Sequence, residues 1–383
     1  MRKLQVAAVF LFIVFLGIGA WKASQRPLWD DEHYSLIRDT LGISYKTMLL
    51  GGIGEGNNSP LFYILQKAQC DLFSYHMPED WAQEKCGGVH AVDQIFLRIQ
   101  SVVFVSVALS ALFYYFARRN SLLVGVYAVA LTMTSTLFWD HWTEARPYAG
   151  WFALSTFQIL FLLRLLENKA DQLKNNLRCL VLVHLFLSLI SSISIVQITV
   201  ASIVLWIFQR PKWFWYLPLI IIPMGIMAYY YVHAPRYDFF FVNGPIELIN
   251  ANIPKDRLII IFIPALILFF RSYRRDWKGY LENKFLVYLV LMLGAFGLVL
   301  LKLKWSQSGQ RGFWISSRYF LSLLPAGIVG TVLFSVYWAH AFSAKVWKTG
   351  VVVFLAIFLV FRVYKTAPMI FKGLNNLLVR QEN

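Results

Sequence analysis

The fold is decided by long apolar runs with almost no charge, and residues 95–117 are a clear case: IFLRIQSVVFVSVALSALFYYFA. As an α-helix these 23 residues would be about 35 Å long at ~1.5 Å per residue. That length crosses the hydrocarbon core of a bilayer, which is ~30 Å thick. Arg118 and Arg119 follow directly, as cations do where a membrane helix enters the cytoplasm. The run therefore predicts a transmembrane helix.

Similar runs recur along the whole chain. They lie at 4–21, 122–139, 148–166, 179–190, 195–208, 213–232, 258–270, 285–301, 320–338 and 350–363. Of the 383 residues, 58% are hydrophobic, which is more apolar surface than one soluble core of this length can bury. The sequence predicts an all-α, polytopic transmembrane helix bundle of about eleven spans, forming a single domain over 1–383.

The net charge of +16 has two explanations. Nucleic-acid binding is one of them. However, the basic residues fall in short clusters between apolar runs, as at 271–278, and cytoplasmic loops of membrane proteins show this pattern. We therefore expect a bilayer and not a nucleic acid as the partner. The expected location is the bacterial inner membrane.

The side that each loop faces depends on two segments. Residues 1–23 resemble a signal peptide without a cleavage site, so we predict an uncleaved first span with the N-terminus inside. Residues 179–208 could form one long helix or two short helices broken at 191–194. The split places the five cations of 271–284 inside. It also places the C-terminal tail, 364–383, outside, where an amphipathic helix could lie on the surface.

One outer loop, residues 22–94, is much longer than the others. Its segments 35–50 and 61–73 are mildly amphipathic, which favours short helices along the membrane surface. Asp30, Asp31 and Glu32 stand together near its start. A carboxylate there could act as a general base or could bind a divalent metal. Alternatively, the acids belong to a solvated loop or to the start of a helix.

Three further outer segments carry candidate residues. Asn58 precedes Ser59 and Pro60, where the other interpretation is a helix cap. Arg146 lies in a short outer turn, where it could bind an anion such as a phosphate, or pair with Glu144, or reach to headgroups. A third segment holds four cations and no acid. They are Lys302, Lys304, Arg311 and Arg318.

The cysteines and histidines give weaker signals. Cys70 and Cys86 share the long outer loop, so either a disulfide between them or two free thiols is compatible with the sequence. The outer histidines do not show zinc spacing, and no metal site is assigned. No cofactor is predicted with certainty, although a divalent metal remains open.

Several motifs together resemble the GT-C superfamily of membrane glycosyltransferases, in its branch of protein mannosyltransferases and aminoarabinose transferases (the glycosyltransferase family 39-like branch). The segment 29–35, WDDEHYS, is similar to the branch's acidic motif after the first span, with Asp31 and Glu32 on the acidic pair. Four more elements follow in the same order. They are NSPLFY at 58–63, LRIQS at 97–101, EARPYA at 144–149, and SRYFL at 317–321 with Pro325. Asn58 departs from the branch, which usually has histidine there.

The resemblance implies an inverting transfer of a sugar from a polyprenyl-phosphate donor at the outer membrane face. It implies Asp31 as the general base and Glu32 as the second catalytic residue, which would position Asp31, the acceptor or a cation. Arg146, Arg318 and Tyr319 would bind the donor phosphate, with Lys302, Lys304 and Arg311 as helpers. Asn58, Glu144 and Tyr148 would position the substrate. The acceptor stays open and could be a protein, a glycolipid or a polysaccharide.

Two other functions fit parts of the sequence. A transporter or flippase of a lipid-linked saccharide would use the same cations without needing Asp31. Internal repeats and charges at midplane depth, which are typical of transporters, are not evident in the sequence. A non-catalytic protein that keeps the fold would have no reason to retain the acidic and arginine motifs.

Overall fold

A computed structural model describes residues 2–25, 28–53, 59–76, 91–167, 172–233, 240–241, 253–272, 280–306, 314–315, 317–341 and 345–381. The α-helices are α1 (Arg2–Ser24), α2 (Asp30–Ser35), α3 (Tyr45–Leu49), α4 (Leu61–Leu72), α5 (Ala91–Arg119), α6 (Leu122–Met133), α7 (Thr136–His141), α8 (Tyr148–Leu166), α9 (Leu173–Ser188), α10 (Ser194–Phe208), α11 (Ile222–His233), α12 (Lys255–Ser272), α13 (Leu281–Ser306), α14 (Leu323–Ala341) and α15 (Lys345–Gln381).

The all-α class is confirmed. Short π-helical turns at Leu36–Leu41 and Leu217–Ile221 and 3₁₀ turns at Trp213–Trp215 and Ser317–Phe320 complete the helical part. In the described part of the chain, strands amount to one parallel pair of two residues each, β1 (Phe240–Phe241) and β2 (Trp314–Ile315).

Helices occupy all eleven predicted runs. Within the described residues, seven of them are long and apolar enough to cross a membrane, beginning with α1 and ending with α15. Crossing by the other four, α6, α9, α10 and α12, stays a prediction. The break expected at 191–194 is confirmed, because α9 ends at Ser188 and α10 begins at Ser194.

Contacts at helix ends show that the chain reverses direction between neighbours. At the start of α5, the Arg98 side chain donates a hydrogen bond to the carbonyl of Ala23 at the end of α1. At the opposite end of α5, Arg119 pairs with Glu167, which follows α8. Lys284 of α13 donates to the Leu166 carbonyl at that same end. The ends of α1 and α7 and the starts of α5 and α8 therefore meet at one end of the bundle, which is the end predicted to face outward.

The run 122–139 is not one helix, because it breaks after Met133. Four polar residues in the segment 132–136 offer the backbone alternatives to helical hydrogen bonds. The carbonyls freed at the end of α6 are capped by distant arginines. Arg257 of α12 donates to Leu131 at 2.7 Å, and Arg362 of α15 donates to Thr134 at 2.8 Å. The short helix α7 can therefore turn toward the end of the bundle that holds the acidic motif.

Candidate active site

The acidic motif forms the first turn of α2. Glu32 is fully buried, at 0% exposure, and its carboxylate accepts a hydrogen bond from the Trp29 backbone N–H at 3.2 Å. This contact between the third residue of a helix and the residue before its start stabilises the first turn. The first turn in turn determines where the Asp31 side chain begins.

A buried ion pair holds Glu32 in place. The Arg98 guanidinium donates to both Glu32 oxygens, from Nε to Oε1 at 3.0 Å and from Nη2 to Oε2 at 2.6 Å. The Ala145 backbone N–H donates to Oε1 at 2.6 Å. Since Arg98 also bonds Ala23, this one carboxylate joins α2 to α1, to α5 and to the turn before α8. Glu32 is thus buried in a structural junction, whereas Asp31 is open.

Asp31 lies between two arginines from distant parts of the chain. Its Oδ2 accepts from Arg146 Nη1 at 2.9 Å and from Arg318 Nη2 at 3.1 Å. The Asp31 side chain is 41% exposed, but that of Arg146 is only 2% exposed and that of Arg318 17%. The two cations are therefore held in the protein, and the carboxylate stands at the accessible side of the cluster.

Aromatic rings form the walls around the two guanidinium groups. The Tyr148 ring centre lies 5.1 Å from the Arg146 guanidinium and 5.5 Å from that of Arg318. The Trp29 ring lies 5.7 Å and 5.4 Å from the same two groups. Tyr319 adds a contact of 5.6 Å to Arg318. Rings at these distances attract cations and restrict their movement.

The Arg318 guanidinium stays positively charged. Burial acts to lower the pKa of its guanidinium, and Arg146 acts in the same direction. Tyr148, Tyr319 and Asp31 raise it, and the net shift of the Arg318 pKa is upward. Two positive groups, Arg146 and Arg318, therefore face the Asp31 carboxylate.

Glu144 lies beside the cluster. It is buried and its Oε2 is 2.8 Å from His141 Nδ1. The His141 ring in turn packs against Tyr148, with 5.2 Å between the ring centres. Glu144 thus supports the turn that carries Arg146 and Tyr148.

The structure brings together Asp31, Arg146, Tyr148, Arg318 and Tyr319, and places Glu32 and Glu144 directly behind them. Other predicted site residues lie outside the described residues. These are Asn58, Cys86 and Arg311, together with the side chains of Lys302 and Lys304. Of the two cysteines that could form a disulfide, Cys70 lies in the described part of the chain, where it is buried. A divalent metal stays an open alternative; the described residues contain no group of three or more potential ligands.

Sequence reasoning missed three residues of the site. It quoted Arg98 only within a motif, although Arg98 is the single charge in the run 95–117, and a charge inside an apolar helix is a signal for a buried partner. It gave no role to Trp29, although Trp29 begins the motif at 29–35, and none to His141, which no pattern in the sequence marks.

Comparison with known proteins adds no assignment, since no family model and no curated protein matches this chain.

Proposed function

We propose that this protein is an inverting glycosyltransferase of GT-C type that moves a sugar from a polyprenyl-phosphate donor to an acceptor at the extracytoplasmic membrane face. The observation that carries the proposal is the pair of arginines, Arg146 buried and Arg318 partly buried, that share one oxygen of a partly exposed carboxylate. Transfer from a phosphate-linked sugar needs a base for the acceptor and fixed cations for the leaving group. The cluster supplies both within a few ångströms.

In the proposed reaction, Asp31 removes the proton of an acceptor hydroxyl or amine as the acceptor atom attacks the anomeric carbon. The bond between that carbon and the phosphate oxygen breaks with inversion. Polyprenyl phosphate leaves with the bonding electron pair and gains negative charge. Arg146 and Arg318 stabilise that charge, and because they are already fixed between aromatic rings they need little reorganisation during the reaction.

Glu32 and Arg98 are proposed to act by positioning. Neither side chain is exposed, so we assign Glu32 the task of holding the start of α2 rather than contact with substrate. Glu144 and Tyr148 would hold the turn that carries Arg146. Tyr319, Lys302, Lys304 and Arg311 are proposed as further donor contacts, and Asn58 as a contact to substrate.

The seven candidate spans support a membrane location. The proposal adds about eleven crossings, a bacterial inner membrane and a site that faces outward. A polyprenyl-phosphate donor fits this setting because its lipid stays in the bilayer while its phosphate lies at the interface. Arginines near a membrane surface are suited to such a phosphate.

The alternative is a transporter or flippase of a lipid-linked saccharide. It would grip the same phosphate with Arg146 and Arg318. Its cargo would emerge intact, whereas the glycosyltransferase releases free polyprenyl phosphate. The position of a carboxylate directly between the arginines favours the enzyme, because a transporter gains nothing from a base at that point.

The test is a transfer assay with purified protein and a polyprenyl-phosphate sugar, which measures released polyprenyl phosphate by mass spectrometry. We expect Asp31→Asn to lower the rate by about 10²–10⁴-fold, the usual contribution of a general base. Asp71→Asn is the matched control: it removes a half-exposed carboxylate of the same loop, on α4, that pairs with Lys67. Full activity in Asp31→Asn, or movement of the donor without cleavage, would contradict the proposal.

A further inference from the structure

We propose that Asp31 is also the resident counter-ion of the two arginines, and that the donor phosphate must displace it before Asp31 can act as a base. Donor binding would then switch on the base, and the donor would bind before the acceptor. This inference rests on the proposed function and concerns the regulation of the same site.

One carboxylate oxygen of Asp31 occupies the place that a phosphate oxygen needs. Oδ2 of Asp31 accepts from Arg146 Nη1 and from Arg318 Nη2, at 2.9 Å and 3.1 Å. A phosphate oxygen bound between the two arginines would use the same two donor groups. The guanidinium fork binds carboxylates and phosphates in the same manner. Asp31 and the donor phosphate are therefore competitors for these donors.

The Asp31 side chain can move more easily than the arginines that bind it. Arg146 is almost fully buried and lies between the rings of Trp29 and Tyr148. The Asp31 side chain, in contrast, is 41% exposed. Displacement therefore needs a rotation of the carboxylate toward the open side and no movement of the cations.

The hydrogen bonds of Glu32 hold the backbone beside Asp31 in place while the Asp31 side chain turns. The next residue, Glu32, accepts four hydrogen bonds, two from Arg98 and one each from the backbone N–H groups of Trp29 and Ala145. A released Asp31 would stay within side-chain reach of the phosphate that displaced it. That is where a base must lie to take the proton of an acceptor attacking the adjacent sugar.

The order of binding follows from these contacts. An acceptor that arrives first meets a carboxylate whose Oδ2 is already occupied by hydrogen bonds from both arginines. A donor that arrives first neutralises the cations with its phosphate and frees the carboxylate. The transfer itself is unchanged, with the acceptor proton passing to Asp31 and the electron pair of the broken bond leaving with the phosphate.

The experiment measures the binding of farnesyl phosphate, a short polyprenyl monophosphate, and of inorganic phosphate to detergent-purified protein by isothermal titration calorimetry. If the arginines are free of Asp31 only about a tenth of the time, Asp31→Asn should bind phosphate about tenfold more tightly than the wild type. Asp31→Glu keeps the charge and should stay close to the wild type. Asp71→Asn should leave the affinity unchanged, and Arg146→Gln should lower it about tenfold or more.

Unchanged or weaker phosphate binding in Asp31→Asn would overturn the inference, and so would the absence of binding to the wild type. Tightening for both probes indicates that the phosphate group alone is recognised, and tightening for farnesyl phosphate alone indicates a lipid-linked phosphate; either outcome supports it. The proposed function is judged separately by transfer. If Asp31→Asn binds phosphate more tightly but the wild type has no transfer activity, the displacement of Asp31 holds and the proposed enzyme activity is refuted. If the wild type transfers the sugar but Asp31→Asn does not bind phosphate more tightly, the enzyme activity holds and the displacement is refuted.

Discussion

Two clusters in this protein contain the same charges, two arginines and one aspartate, but their geometry differs. In the Asp31 cluster (Asp31, Arg146 and Arg318) both guanidinium groups bond the same carboxylate oxygen. The Asp256 cluster (Asp256, Arg257 and Arg362) instead uses its arginines on the free carbonyls at the end of α6. There, Arg362 contacts the carboxylate, at 3.1 Å.

The difference separates a charge cluster that can bind a ligand from one that holds helices together. A cation at a helix C-terminus bonds orphan carbonyls and compensates the negative end of the helix dipole. Arg257 and Arg362 hold α12 and α15 against α6 in this way. In the Asp31 cluster, Arg146 and Arg318 donate hydrogen bonds to a partly exposed carboxylate, which an anion can replace. The function of an arginine pair therefore depends on what its donor groups bind.

The largest effect that separates the clusters is expected for Arg146→Gln. Loss of one fixed donor to a developing oxyanion should lower the transfer rate by about 10²–10³-fold. The unfolding temperature should change little, because Asp31 is partly exposed and can turn to solvent. The measurement combines the transfer assay with thermal unfolding in the same detergent. A large drop in unfolding temperature would show that Arg146 holds the fold together as Arg257 and Arg362 do, and would contradict the distinction between the two clusters.

The second effect is expected for Arg257→Gln, which should lower stability and leave transfer unchanged. The substitution removes a hydrogen bond from a fully buried cation to the Leu131 carbonyl, so it should destabilise the fold by about 1–3 kcal/mol. Transfer by the folded fraction should stay close to the wild type. Arg178→Gln, at an exposed arginine of α9, is the control and should be neutral. Lost transfer at unchanged stability would show that the Asp256 cluster is part of the site.

The smallest effect is expected for Trp29→Leu. Its ring lies within 6 Å of both guanidinium groups of the Asp31 cluster, at 5.7 Å and 5.4 Å. Loss of a cation–π contact worth about 0.5–1 kcal/mol should weaken phosphate binding by about two- to fivefold. Trp29→Phe keeps an aromatic face and should retain most of the affinity. Equal losses in the two variants would mean that ring shape, and not the π face, positions the arginines.

Much of the fold was predictable because hydropathy is a local property. Each apolar run became a helix, and the polar segment at 191–194 became the break between α9 and α10. The break inside 122–139 was missed, although its four polar residues at 132–136 carried the signal. The arginine caps at this break could not be predicted, because Arg257 and Arg362 lie 126 and 228 residues away from the carbonyls they bond.

The candidate site was predictable only in part. The motifs pointed to Asp31, Arg146 and Arg318 as residues of one function, but not to a shared oxygen atom. Glu32 was taken as the second catalytic residue, and nothing in its neighbourhood in the sequence indicated that Arg98 would bury it. Trp29 acquires its role through its position against two guanidinium groups. Such a position depends on how α2, α8 and the turn before α14 pack.

By itself, the sequence determined which segments are apolar helices and which end of each helix carries acids or cations, because consecutive residues settle both. Only the tertiary structure decided which charges meet. Arg98 pairs with Glu32 across 66 residues, and Arg318 reaches Asp31 across 287. The physical reason is that an ion pair depends on distances of a few ångströms, and helix packing alone brings such distant residues that close.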